Sequence, residues 1–196
     1  MIPTDNVTYA ESRAAWRQWL IDNHQIAANV WLQIFKKNSG TPSVTYDEAV
    51  DEALCFGWID SSVKKGDEQY YWQYFAKRNP KSNWSQVNKT KVEKLTAAGL
   101  MTPAGQALID LAKQTGTWTA LDHLEDGICP PDLQTALDAN SMAKSFFDAF
   151  PRSVRRGILE WLLNAKTPET RAKRIAEIVS KAERNERANQ YTPKQR

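Results

Sequence analysis

The chain has 196 residues, 41% hydrophobic and 25% charged, with a formal net charge of +3. That length suits one domain, or one domain plus a helical extension, with a substantial core, and the composition excludes a disordered chain. Two cysteines, Cys55 and Cys129, set no disulfide framework, and no apolar run approaches the roughly 18 residues of a membrane span. No charged-then-apolar leader opens the chain, so a cytoplasmic location is expected.

The first helix is predicted from Ala10 to Asn23, with Thr8 and Glu11 at capping-box spacing and Ala15, Trp16, Trp19 and Leu20 as its apolar stripe. Val30–Phe35 reads as a strand that ends at Lys36-Lys37, closed by the turn Asn38–Pro42. Thr45 and Glu48 form a second capping box, opening a helix that Gly57 can stop, because glycine takes the left-handed conformation without steric cost. Trp58–Val63 and Gln69–Ala76 read as strands around a turn at Lys64–Asp67. The resulting unit is β-α-β-β behind a helix, of the α+β type.

After Pro80 the pattern is helical. Ser82 or Ser85 can cap a helix to Ala98, and Thr102-Pro103 starts another that Gly116 follows. Shorter helices are expected at Pro131–Leu137 and Ser141–Phe150. Pro151 fits a first helical position, and Thr167-Pro168 opens the last helix. The fold class is therefore α+β, a small N-terminal sheet with flanking helices followed by a helical C-terminal half. The expected organisation is 1–116 as the α+β part, 117–190 as a helical part packed on it, and 191–196 as a frayed tail, with a single domain overall as the alternative.

Leu54–Trp84 concentrates three of the eight tryptophans and three of the six tyrosines beside Asp60, Asp67, Arg78 and Lys81. Rings supply area and fixed polar groups supply orientation, so this is where a ligand pocket is expected. Alternation puts Tyr70, Trp72 and Tyr74 on one strand face and Tyr71, Gln73 and Phe75 on the other. Core packing is the commoner fate of such rings, and an open face would stack a planar ring or a sugar. The loop Lys77–Ser85 can hold a carboxylate or phosphate at a helix N-terminus, with Arg78 and Lys81 for charge, although Ser82 and Ser85 are equally well explained as caps. Asp60 shares a strand face with Trp58. It is either an acid or base, or a structural partner for Lys36, Lys64 or Arg78. The candidate ligand-binding set is thus Lys36, Trp58, Asp60, Tyr70, Trp72, Arg78, Lys81, Ser82, Trp84, Ser85 and Asn88.

No cofactor is implied, and His24 and His123 have no neighbours at metal-ligand spacing. Cys55 lies in an apolar run with no base beside it. Residues 1–150 hold 14 Lys and Arg against 18 Asp and Glu, whereas residues 151–196 hold 12 against 5. The basic end (Arg152, Arg155, Arg156, Arg171, Lys173, Arg174, Arg184 and Arg187) can attract nucleic acid. The ordinary reading is a solvated helix face, since Glu169 precedes Lys173 and Glu177 precedes Lys181 by four residues, and nucleic-acid binding is the minor view.

Several motifs together resemble the YdeI/OmpD-associated family of small bacterial proteins, also called bacteriocin-protection proteins. They are Trp19-Leu20; Val30-Trp31-Leu32 with Lys36-Lys37; Thr45-Tyr46-Asp47-Glu48-Ala49; Ala53 through Ser61; Ser82-Asn83-Trp84-Ser85 with Asn88; Gly99-Leu100-Met101; and Lys166 through Ile175. The resemblance runs along nearly the whole chain. It departs at Phe75-Ala76-Lys77-Arg78-Asn79-Pro80, where many relatives read Phe-x-Pro-Arg. It implies a role in bacteriocin or stress protection and supplies no reaction. Three readings follow. The first is a binder of a small anionic or aromatic ligand, or of an acidic peptide. The second is an enzyme using Asp60, and the third a nucleic-acid-associated protein using the basic C-terminal helices.

Overall fold

The structure is a computed structural model that describes residues 3, 5–125 and 128–189, excluding the side chains of His123 and Glu125. The tail expected at 191–196 lies outside the described residues. The chain divides into two compact units, Met1–Ala120 and Leu121–Arg196.

The first unit holds four strands, β1 (Val7–Tyr9), β2 (Asn29–Phe35), β3 (Trp58–Lys65) and β4 (Tyr70–Lys77). Its helices are α1 (Arg13–Asn23), α2 (Tyr46–Cys55), α3 (Gln86–Ala97) and α4 (Pro103–Thr115). The sheet order is β1-β2-β4-β3, with β1 parallel to β2 and the remaining pairs antiparallel.

β2 shows strict alternation: Val30, Leu32 and Ile34 are buried and the residues between them are half-buried. The inward side chains join Phe75, Trp58, Trp16, Leu20 and Leu54 in one core against the helices. α1 anchors there through Trp16, whose Nε1 donates to Ala49 O at 3.0 Å and whose ring stacks on Trp19. A buried carboxylate adds a second tie. Glu52 of α2 accepts from Arg13 Nε at 2.6 Å and Arg17 Nη1 at 2.5 Å.

The start of the chain differs from expectation. Thr8 belongs to β1, and Ser12 caps α1 by accepting from Ala15 N. The Thr8/Glu11 spacing suits a capping box, but pairing of Val7–Tyr9 with Trp31–Gln33 claims Thr8 for the sheet. Tertiary pairing overrides a local signal that is worth only about 1 kcal/mol. The Thr45/Glu48 capping box does form, in both directions. Of the two candidate caps for α3, Ser85 takes the role. β3 continues through Lys64 and Lys65, placed in a turn by the sequence reading, and its register slips between Asp60 and Val63.

Gly57, at φ 73°, turns the chain from α2 into β3. α4 then closes on that turn, with Thr102 N and Oγ1 both donating to Cys55 O at 3.1 and 2.6 Å. The approach is so close that a Cβ built on Gly105 would lie 2.3 Å from Cys55 O.

The second unit is helical: α5 (Asp122–Glu125), α6 (Pro131–Asp138), α7 (Ser141–Ala149), α8 (Arg152–Leu163) and α9 (Pro168–Glu183). Leu133, Leu137, Phe147, Ile158, Leu162 and Ile178 fill its core. Pro151 caps α8 from outside instead of occupying its first turn. Basic residues here find local partners. Arg171 grips Asp132 through Nε and Nη2, Lys181 pairs with Glu177, and the Arg174 guanidinium lies 4.8 Å from the Trp161 ring centroid.

Gly105→Ala is expected to destabilise the first unit by about 2 kcal/mol, because a backbone carbonyl cannot yield as a side chain would. A thermal melt should show a fall of roughly 4–8 °C. An unchanged melt would refute the docking of α4 on Cys55.

Candidate functional site

The turn at Gly57 places three groups around one hollow. Trp58, the first residue of β3, points inward with 1% exposure and donates from Nε1 to His24 O at 3.3 Å. Gly57 O accepts from Arg78 N at 3.0 Å, which fixes the chain just after β4. Arg78 therefore folds inward at 6% exposure, close beside that turn.

The guanidinium of Arg78 stacks on the Trp84 ring, 3.8 Å from its centroid, and Nη2 donates to Asn83 O at 2.6 Å. Nε is buried without a hydrogen-bond partner, and among the described residues no carboxylate bonds to the group. Burial alone brings its pKa down to about 10, because charge is disfavoured away from water when nothing opposite compensates it.

Arg78 lines a cavity of about 400 Å³ with His24, Gln25, Phe56, Gly57, Trp58 and Lys77, closed by Ala104 and Leu108 of α4. Lys77 Nζ donates to Gln25 O at 2.7 Å and holds the C-terminal end of α1 against the strand. His24 Nδ1 lies 2.8 Å from Leu20 O, so this nitrogen carries the proton, and the ring leans on Phe56. The lining thus combines Arg78, Lys77 and His24 with apolar walls and contains no acid. Gly57 is required twice over. A side chain there would be strained at φ 73°, and its Cβ would lie 2.8 Å from Leu108 Cδ1.

The residues singled out from the sequence divide among four places. Trp58, Arg78 and Trp84 converge on this hollow, Trp58 in its wall and Trp84 beneath the guanidinium. Both tryptophans are core residues and not open stacking surfaces.

Asp60 lies elsewhere. Its Oδ2 accepts from Tyr46 OH at 2.7 Å, so its partner is a tyrosine on α2 and none of Lys36, Lys64 and Arg78. Lys36 donates from Nζ to Asp67 O and Glu68 O and lines a wider depression of about 860 Å³ with Tyr46 and Tyr71. Burial and the neighbouring Asp60 push the Tyr46 hydroxyl pKa upward, so Tyr46 stays protonated as the donor.

Tyr70 and Trp72 stand on the sheet face turned away from the core. Lys81, Ser82, Ser85 and Asn88 build the loop and the cap. Lys81 N donates to Asn79 Oδ1 and Ser82 Oγ to Asn79 O, and Ser85 Oγ accepts from Asn88 N.

The sequence reading missed Lys77, Phe56, Ala104 and Leu108 as lining residues and weighed His24 only as a metal ligand. Lys77 and Phe56 adjoin residues already singled out, so adjacency was an available signal. Nothing local marks Ala104 and Leu108, which arrive through the closure of α4. Among the described residues, no group of three His, Cys, Asp or Glu comes together to hold a metal. Among the described residues, no helix is long and apolar enough to cross a membrane.

No curated protein and no solved structure matches the chain. Residues 126–185 match the family described as Bacteriocin-protection, YdeI or OmpD-Associated. That match lies within the helical unit, whereas the Thr45–Ala49 and Ala53–Ser61 motifs fall within a different family model. This second model is a domain of unknown function, DUF8412; it matches residues 8–108, more than half the chain, and the protein belongs to that family.

Proposed function

We propose that the protein binds a small organic anion, a carboxylate or phosphate carrying an apolar or planar body, in the cavity beside Arg78. One observation carries this reading: Arg78, at 6% exposure, lines a cavity with a guanidinium that bonds to no carboxylate among the described residues and a buried Nε that has no hydrogen-bond partner. An uncompensated buried charge costs several kcal/mol, and an anion would offset that cost while accepting a charge-assisted hydrogen bond. Lys77 adds positive potential, and Phe56, Trp58, Ala104 and Leu108 offer apolar contact to the rest of the molecule. A volume of about 400 Å³ lies at the small end of ligand pockets and favours a metabolite-sized guest over an acidic peptide.

The match of residues 126–185 to a bacteriocin-protection family supports a physiological role in protection, with the bound anion as its signal or cargo. Two free cysteines, one buried, accord with a reducing cytoplasmic setting. The enzyme reading draws no comparable support, since Asp60 is occupied by Tyr46 and does not line the Arg78 cavity.

Thermal melts with benzoate, phenyl phosphate and inorganic phosphate test this reading. A ligand at 100 times its Kd stabilises by about 2.7 kcal/mol, so at least one of the two aromatic anions should raise the melting temperature by several degrees and exceed inorganic phosphate. Arg78→Met should abolish the shift. No shift with any probe, or a shift that survives Arg78→Met, contradicts the site.

Without ligand, Arg78→Met should leave the melting temperature unchanged or raise it, because an apolar isostere relieves the buried charge. A drop of several degrees would mean that the arginine is a structural strut. The guanidinium pKa of about 10 also sets a pH limit. Affinity should hold between pH 7 and 9 and decline once pH passes about 10, where the folded protein loses that proton while the unfolded chain still keeps it. Titration calorimetry across that range checks the direction.

A further inference from the structure

The sheet face turned away from the core is not an ordinary solvated surface. Tyr9, Phe35, Tyr70 and Trp72 form a chain of rings across it, with successive centroids 5.5, 5.4 and 5.7 Å apart. Beside them Trp31 and Tyr74 sit opposite each other on β2 and β4, with centroids 4.8 Å apart. None of the six belongs to either hydrophobic core. Tyr9 is 43% exposed, and Trp31, Phe35, Tyr70 and Tyr74 are half-buried. Trp72 is more than nine-tenths buried, yet its Nε1 has no hydrogen-bond partner.

Charge on this sheet has one sign where it matters. Of the charged strand residues, Lys64 shares the rings' face, while Lys65, Lys77 and the single acid, Asp60, fall on the core side by register, Asp60 held by Tyr46 of α2. Lys64 pairs in register with Trp72, and its ammonium lies 4.4 Å from the Trp31 ring centroid, directly among the rings. A cation set among stacking surfaces fits a ligand that alternates planar groups with negative ones.

We propose that this face is a stacking platform for single-stranded nucleic acid. Bases would lie on the exposed rings, and Lys64 would meet the phosphate backbone. A neutral glycan could use the rings but would gain nothing from Lys64. A second copy of this chain, set face to face, would offer Lys64 no acid from its strands, whose single acid, Asp60, lies on the core side. A duplex hides the base faces that the rings would engage. This surface is separate from the Arg78 cavity, which none of these six rings lines.

Fluorescence anisotropy with a fluorescein-labelled dT15 oligonucleotide tests the proposal. Wild type should bind dT15 more tightly than a duplex of the same length, and its affinity should fall with salt. Trp31→Ala or Tyr74→Ala should weaken binding at least tenfold, and Lys64→Gln should reduce the slope of log K against log salt by about 0.7. Where circular dichroism shows that a ring variant has unfolded, Tyr9→Ala and Lys64→Gln carry the test, since both side chains are exposed. Arg78→Met should bind dT15 like wild type, so failure of the anion site and failure of this one are distinguishable. The proposal is overturned by any of four results: no dT15 binding, affinity unchanged in folded ring variants, equal or tighter duplex binding, or response to laminarihexaose in place of dT15. Concentration-dependent dimerisation that Tyr74→Ala abolishes would equally overturn it, by assigning the face to a second copy.

Discussion

The reversal at Gly57 is the constraint on which the first unit depends. A single left-handed residue ends α2, sends Trp58 into the core as the first residue of β3, and leaves its own carbonyl to accept from Arg78 N. The carbonyl two residues earlier, Cys55 O, receives both donors of Thr102 and so fixes where α4 begins. Sheet, helix α4 and the loop after β4 are therefore registered against one turn. The cavity is what remains between them. A residue with a Cβ at position 57 would fill that space and strain the turn at once.

That geometry also accounts for a buried cation without a counter-ion. The backbone bond from Arg78 to Gly57 draws the arginine inward, and the Trp84 ring and Asn83 carbonyl hold its guanidinium flat. These contacts satisfy part of the fork and leave Nε unpaired. Contrast Glu52, equally buried, which takes two arginines and is a structural ion cluster. The same unit thus contains a charge that is answered and a charge that is not. The ring stack on Trp84 and the bond to Asn83 O give the second a structural anchor but no counter-ion.

Much of the architecture was legible because its signals are local. The Thr45/Glu48 box, the alternation in Val30–Phe35, the caps at Ser85 and Thr102 and the glycines at 57 and 116 each encode one turn or one face. β1 was hidden because Val7–Tyr9, whose Thr8 stands at capping-box spacing from Glu11, becomes a strand only when β2 lies alongside. The site was legible in part for a related reason. Arg78 and Trp58 could be picked out by chemistry, but whether a tryptophan is wall, floor or open platform depends on distant chain. Trp84 lies beneath the guanidinium and packs on Trp118, Trp58 bonds His24 O, and Trp72 falls on the opposite sheet face by parity alone. Asp60 likewise finds Tyr46 only because the turn at Gly57 folds β3 back along α2.

The central claim is that the Arg78 guanidinium is an unsatisfied group waiting for an anion. Nitrogen–proton correlation spectra of the arginine side chains, recorded while benzoate is titrated in, observe that group directly. The account predicts that one Nε–H resonance, lost in Arg78→Met, moves downfield and saturates as the carboxylate pairs with it. If that resonance stays fixed while benzoate perturbs other arginines or none, the cation is satisfied by the fold itself and the cavity is an incidental gap beside it.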